Sequence, residues 1–211
     1  MNPTRVCILR HGETDWNAAR RIQGQIDIPL NAAGHAQAAA TAAGLAGQRF
    51  DALYSSDLLR TWQTAQPIAA ALRLPVTAVP GLRERHYGRM QGLTSAEAQQ
   101  RFPVLHDAYA GRALQHDLDG GETLAGFAAR IAATLAELAA AHAGRTLLLV
   151  AHGGVLDIVY RIATARDLAG ARDFPIPNAG VNWIEGGDGA WRLVAWGEKT
   201  HLDMALDEVS G

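Results

Sequence analysis

"TLLLVAHGGVLDIVYRI", Thr146 to Ile162, changes its period half-way. Thr146 to Val150 is a continuous apolar run of strand length. A helix then starts at Gly153 or Gly154 and turns Val155, Leu156, Val159 and Ile162 inward. A buried strand that passes through a tight His-Gly turn into a helix is part of a parallel β-α-β arrangement, so this stretch predicts an α/β fold. Near the start of the chain "RVCILRHGETDWN", Arg5 to Asn17, repeats the plan: an apolar strand over Arg5 to Leu9, then His11 and Gly12. Two central strands each carry a histidine at the carboxyl end.

Working outward, Asn31 to Gly47 is alanine-rich with a capping Asn31 and a stopping Gly47, which predicts a helix. "FDALYSS" reads as a strand ending at Ser55 and Ser56. From Asp57 onward Leu58, Trp62, Ala65, Ala69 and Leu72 recur at helical spacing, interrupted by Pro67, which must kink the helix or remove a hydrogen bond. Val76 to Val79 reads as a short strand. The adjoining "GLRERHYGRMQGL", with three glycines and no period, reads as loop. Glu122 to His142 is the clearest helix, with an apolar stripe of Leu124, Phe127, Ala128, Ile131, Leu135 and Leu138; Asp119 and Glu122 have capping-box spacing and Gly144 follows the end. "VNWIEGGDGAWRLVAW" is two alternating runs around a Gly-rich turn, a β-hairpin. The expectation is a three-layer α/β/α domain over residues 1–197, with a mostly parallel central sheet, an antiparallel edge element and a polar tail over 198–211.

Composition narrows the function classes. The chain has 211 residues, 48% of them hydrophobic and 19% charged, which suits one globular domain. No apolar stretch approaches the roughly 18–20 residues needed to cross a bilayer, so no membrane partner is expected. A net charge of −2 with no long Lys/Arg run gives no footprint for nucleic acid. Cys7 is the lone cysteine, which rules out an intramolecular disulfide or a cysteine metal cluster, and its place in a strand makes it core filler. A strand reached within a few residues of Met1 leaves no room for a leader, which sets the expectation of a cytoplasmic protein.

In open α/β sheets, ligands bind outside the carboxyl ends of the strands, which is where His11 and His152 fall. A helix beginning after His152 aims its first N–H groups, including that of Gly153, at the same mouth. Arg10 directly precedes His11, and Arg60 lies in the first turn of the helix after "LYSSD". Two guanidiniums and two imidazoles oppose a divalent cation, so no metal or other cofactor is expected. They suit a phosphoryl group, whose oxygens match guanidinium forks. His35, His106, His116, His142 and His201 receive no role.

"LRHGETDWN", "SSDLLRTWQTA", "LRERHYGRMQG" and "VAHGG", in that order and on the expected elements, resemble the histidine phosphatase superfamily, its phosphoglycerate mutase-like branch. "GGETLAGFAARI" and the terminal hairpin fit the same layout. The resemblance implies that His11 is the nucleophile and becomes a phosphohistidine, that Arg10, Arg60 and His152 hold the phosphoryl oxygens, and that Glu84 protonates the leaving oxygen and then activates water. It also implies an Asn17 contact to the phosphoryl group and a substrate side lined by Gln23 and Gly24. Tyr87 is placed near the site. Glu13, Thr14 and Trp16 read as more structural than catalytic, with Thr14 the better placed of the first two to touch phosphate.

Within that family "ERHYGRMQGL" is closer to the glycolytic mutases. The residues beyond it depart from them: Ser95 stands where those enzymes carry a lysine, and Arg112 stands alone where they carry paired arginines. The expected activity is therefore hydrolysis of a small phosphorylated metabolite with inorganic phosphate as product. A cofactor-dependent mutase is the alternative. A silent phosphate-binding module is a third reading, disfavoured because His11, Glu84 and both arginines are present. The resemblance also allows a homodimer.

Overall fold

The structure is a computed structural model and describes residues 3–187 and 190–202. Six strands form one sheet: β1 (Thr4–Arg10), β2 (Ala52–Ser55), β3 (Val76–Ala78), β4 (Thr146–Ala151), β5 (Val181–Gly187) and β6 (Ala190–Glu198), in the order β3-β2-β4-β1-β5-β6. β3, β2, β4 and β1 are mutually parallel, whereas β5 runs antiparallel to β1 and β6 antiparallel to β5. This is the anticipated mixed sheet with its antiparallel edge. The hairpin turn at 188–189 and most of the tail, 203–211, lie outside the described residues.

Alternation along the central strands builds two apolar layers, because successive side chains of a strand point to opposite faces. Val6 and Ile8 of β1, with Leu147 and Leu149 of β4, meet helix α6 (Leu124–Ala141) and helix α7 (Gly153–Thr164) through Phe127, Ile131, Val155 and Val159. Cys7, Leu9, Leu148 and Val150 face the other way, onto Ala42 and Leu45 of α2 (Ala32–Leu45) and Ala65 and Ile68 of α3 (Leu59–Leu72). The continuous apolar runs follow from this burial on both faces. Cys7 is fully buried, and desolvation pushes its thiol pKa far up. α3 runs through Pro67 without ending, so the proline's cost there is a missing amide donor rather than a break.

Several expectations need correction. The α6 cap is neither Asp119 nor Glu122 but Thr123, whose hydroxyl accepts from the Gly126 amide at 2.9 Å; Asp119 pairs with Arg89, and Glu122 with Arg130. α6 is also an 18-residue helix of mean hydropathy 1.4, long and apolar enough by composition to cross a membrane. Here it is a core helix: Leu124, Phe127, Ile131 and Leu135 are buried against the sheet, and the hydropathy of its exposed face comes from Ala129, Ala132, Ala133 and Ala136 beside Glu137. The stretch read as loop contains 3₁₀ turns at Pro80–Leu82 and Gly88–Met90. It leads into two helices missed from the sequence, α4 (Ser95–Arg101) and α5 (Pro103–Ala110). These pack on a small third cluster of Met90, Leu93, Ala98 and Leu118, apart from the two sheet layers.

Candidate active site

The parallel register sets Arg10 of β1 beside Ala151 of β4, so the next residues, His11 and His152, leave the sheet side by side. Their rings stand edge to face with centroids 5.3 Å apart. Both are buried, at 3% and 0% exposure, at the carboxyl end of the parallel strands; His11 lines a cavity of about 760 Å³, and His152 stands beside it without reaching the cavity wall.

The His11 ring is fixed from both sides. Nδ1 lies 2.7 Å from the Gly12 carbonyl, which can only accept, so Nδ1 carries the proton and Nε2 keeps its lone pair. That lone pair receives the Arg60 Nε–H at 3.3 Å. Burial first, then Arg60 and Arg10, hold the His11 pKa well below the ordinary histidine value, so the ring is neutral at pH 7. The result is a buried, oriented nitrogen nucleophile in a field of positive charge.

Arg60 is itself buried at the start of α3, anchored by Nη2 to the Gly24 carbonyl at 2.7 Å and by Nη1 to the Ile26 carbonyl at 3.0 Å; burial lowers its pKa to about 10, still charged at neutral pH. Arg10 donates Nη1 to the Ile176 carbonyl at 2.7 Å. His152 shares a 2.9 Å hydrogen bond between its Nε2 and Ser56 Oγ, and burial followed by Arg60 lowers its pKa in the same sense as that of His11. Ser56, the residue after β2, thus sets the His152 ring.

Glu84 faces the N-terminus of α7. Its Oε2 accepts from the Gly154 amide and its Oε1 from the Arg85 amide, each at 2.8 Å. Burial raises its pKa above the usual glutamate value, although both amides and the nearby Arg60 and Arg10 act in the opposite direction. A side chain at Gly154 would put a Cβ 2.1 Å from Glu84 Oε1, so the second glycine of the His-Gly-Gly turn makes room for the carboxylate. At Gly153 a Cβ would meet Arg10 at an ordinary 3.5 Å.

The remaining expected residues divide. Asn17, Gln23, Gly24, Tyr87 and Gly153 line the cavity, and Trp16, read from sequence as packing, lines it too. Thr14 is corrected: it is fully buried and does not line the cavity. Its hydroxyl caps the short helix α1 (Asp15–Ala18), accepting from the Asn17 amide while Asn17 Oδ1 accepts from the Thr14 amide. The sequence reading missed a rim of Arg20, Arg21, Arg85, Arg112 and Arg172, with Tyr109 from α5 and Asp157 from α7. Only the excess of arginine over lysine pointed that way. Among the described residues no group of three metal-ligating side chains occurs.

The chain matches the model of the histidine phosphatase superfamily, branch 1, over residues 6–199. It belongs to that family. This histidine phosphatase is 40% identical over 204 residues to a metal-independent phosphoserine phosphatase of Arabidopsis thaliana, covering 94% of this chain and 83% of that protein. It is 35% identical over 215 residues to a probable phosphoglycerate mutase of Yersinia enterocolitica, covering 97% and 98%. Among solved structures, a mutant phosphoserine phosphatase of Entamoeba histolytica in complex with phosphoserine superposes with a TM-score of 0.83 at 27% identity, over 94% of this chain and 99% of that one. The protein is a metal-independent phosphomonoester hydrolase that works through a phosphohistidine.

Proposed function

We propose that this histidine phosphatase hydrolyses small phosphorylated hydroxy or amino acids, with His11 as nucleophile and Glu84 as the acid and base. The observation that carries the reading is where the unmet hydrogen-bonding capacity lies. Among the described residues, three buried side-chain polar atoms have no partner in the protein: Arg10 Nε, His152 Nδ1 and Gln23 Oε1. All belong to the residues gathered at this site. A buried polar atom without a partner costs about 1–3 kcal/mol, so native proteins keep few of them, and three gathered at one site call for a partner from outside the protein.

In the proposed cycle the His11 Nε2 lone pair attacks phosphorus, and the ester P–O bond breaks with its electron pair on the leaving oxygen. That oxygen takes the proton of the Glu84 carboxyl. Arg10, Arg60 and His152 hold the three equatorial oxygens, with Asn17 and the Gly153 amide beside them. As His11 commits its lone pair to phosphorus, the Arg60 Nε–H that it accepted in the resting site is released to a phosphoryl oxygen. Water then attacks the phosphohistidine, Glu84 takes its proton, the P–N bond breaks, and His11 returns to its neutral state. Glu84 must be protonated at one stage and ionised at the next, and burial against two amides is an arrangement that brings those states closer in energy.

Hydrolysis is favoured over the mutase reading by Ser95 and Arg112. Ser95 Oγ bonds His106 Nε2 at 3.0 Å, and Arg112 is committed to Asp157 at 2.6 Å, so neither offers the free cation that would retain a bisphosphate. The relatives named for phosphoserine and phosphoglycerate guide the choice of acids. The cytoplasm and a homodimeric state are part of the same proposal, the first resting on a lone buried thiol. The test is His11→Ala assayed by phosphate release on phosphoserine and 3-phosphoglycerate, with mutase activity measured in the presence of the bisphosphate. Turnover should fall by about 10³-fold or more, as for loss of a nucleophile. Wild-type enzyme quenched under alkaline conditions should carry acid-labile phosphate on His11. Substantial turnover in the variant would overturn the mechanism.

A further inference from the structure

The charge around the cavity does not balance for a phosphoryl group alone. Seven arginines and two carboxylates line it. Arg10 and Arg60 face the phosphoryl position. Arg21 is paired with Glu97 at 2.6 Å, and Arg112 with Asp157, whose carboxylate also meets the buried Arg161. Arg85 spends its Nε and Nη2 on the Glu122 and His116 carbonyls. The side chains of Arg20 and Arg172 make no hydrogen bond or ion pair among the described residues.

Of those two, Arg172 faces the chemistry. It lies four residues before Ile176, whose carbonyl holds Arg10. The chain between them is anchored by Phe174, which is buried and stacks on Tyr160 with centroids 3.7 Å apart. Burial lowers the pKa of Arg10, with the Arg172 charge acting in the same sense, and burial raises that of Tyr109, with the Arg172 charge opposing it. Tyr109 reaches the same wall from α5, set edge to face against Tyr87 at 5.5 Å, and its hydroxyl makes no hydrogen bond among the described residues. A free guanidinium and a free phenol therefore border the cavity next to the arginine assigned to phosphate.

We propose that Arg172 and the Tyr109 hydroxyl form a second anion subsite, which selects phosphomonoesters bearing a carboxylate close to the ester oxygen. The inference rests on the phosphatase reading above and adds the residues that choose among its substrates. One uncompensated guanidinium with one hydroxyl donor matches a single negative charge, as a carboxylate presents; a second phosphoryl group would call for more than one cation. The subsite lies on two segments, α5 and the stretch between α7 and β5, neither of which supplies the nucleophile or the acid.

The experiment compares kcat/KM for wild type, Arg172→Ala, Arg172→Glu and Tyr109→Phe on four esters: phosphoserine, phosphoethanolamine, a sugar bisphosphate and p-nitrophenyl phosphate. Wild type should prefer phosphoserine to phosphoethanolamine, which lacks only the carboxylate. Arg172→Ala should lower kcat/KM for phosphoserine about tenfold more than for p-nitrophenyl phosphate, mostly through KM, because Arg172 is exposed and its charge is partly screened. Arg172→Glu should invert the order of phosphoserine and phosphoethanolamine. Tyr109→Phe keeps the ring contact with Tyr87 and should show the same selectivity change in smaller measure.

Equal losses on all four esters would mean that Arg172 supports the fold or Arg10 rather than a substrate anion, and would overturn the proposal. So would a wild-type preference for the bisphosphate, or no preference for the carboxylate. Failure of wild type to hydrolyse any of the four would instead defeat the phosphatase reading on which this one stands.

Discussion

Replacing Glu84 by glutamine separates its two jobs, because the structure shows what each atom of the carboxylate does. Oε1 accepts from the Arg85 amide and Oε2 from the Gly154 amide, both at 2.8 Å. Glutamine can keep one of these bonds through its single oxygen, but its NH₂ then confronts the other amide donor to donor. One buried donor is left without a partner, at a cost of about 1–3 kcal/mol of stability. The variant should melt several degrees lower than wild type and still fold. Glutamine also removes the proton that the leaving oxygen requires. General acid catalysis contributes about 10²–10⁴-fold where the leaving group is a poor one. The assay is steady-state release of phosphate from phosphoserine, a basic alkoxide leaving group, and from p-nitrophenyl phosphate, whose phenolate leaves without help. Turnover of the first should fall by about 10²-fold or more. Formation of the phosphohistidine from the second should be nearly spared, with slowed hydrolysis visible as a burst of p-nitrophenol. Equal slowing of both substrates with no burst would show that Glu84 is not the acid and that the loss comes from disturbing the turn at Gly154.

The pH dependence of stability arises from the same cluster. The folded-state pKa values of His11 and His152 are depressed, so the unfolded state binds more protons as pH falls below the ordinary histidine value. Their contribution is complete above pH ~6.5, and is lost as pH drops through that value toward the folded pKa values. Glu84, raised in the folded state, contributes in the opposite sense, most fully below pH ~4.3, and losing that contribution as pH rises. Thermal melts from pH 8 to 5 should therefore show a decline that is shallower in His152→Asn; an unchanged slope in that variant would refute the assignment. Activity should persist in excess chelator after dialysis, checked by phosphate release with added divalent cations as the control, and a chelator-sensitive rate restored by one metal would contradict the metal-independent chemistry.

Much of the site was legible in sequence because it is local to strand ends. Arg10 and His11 follow β1 directly, His152 and the two glycines follow β4, and Arg60 begins the helix after β2, so a strand period and a breaking residue are enough to place them. Glu84 could be singled out only by resemblance, since nothing in an aperiodic loop announces a buried carboxylate. α4 and α5 were not legible because they bury their apolar residues in a separate small cluster around Met90 and Leu118, on helices of 7 and 8 residues that are too short to show a period. Thr14 was misplaced for a different reason. A threonine beside a phosphate-binding turn and a threonine capping a helix carry the same local signal, and the hydrogen bonds to Asn17 decide for the cap.

The resemblance between the two strand mouths hides a division of labour that only the geometry displays. Both rings are held neutral by burial first and then by the neighbouring arginines, yet His11 turns its protonated Nδ1 to its own turn and leaves Nε2 to Arg60, while His152 spends Nε2 on Ser56 and keeps Nδ1 without a partner among the described residues. The first arrangement presents a lone pair, as a nucleophile requires. In the second, a serine from a neighbouring strand end fixes the ring, which leaves Nδ1 free for a phosphoryl oxygen. Ser56 is therefore the residue whose loss should convert one role toward the other. Ser56→Ala releases the His152 ring and removes the only hydrogen bond it makes among the described residues, leaving an unpartnered buried nitrogen at each edge. The expected result is a drop in kcat of about 10-fold with the phosphohistidine still formed on His11, detectable by mapping the labelled residue. Label appearing on His152 would show that orientation, rather than the field of Arg10 and Arg60, is what distinguishes the two histidines. An unchanged kcat would remove His152 from the transition state altogether.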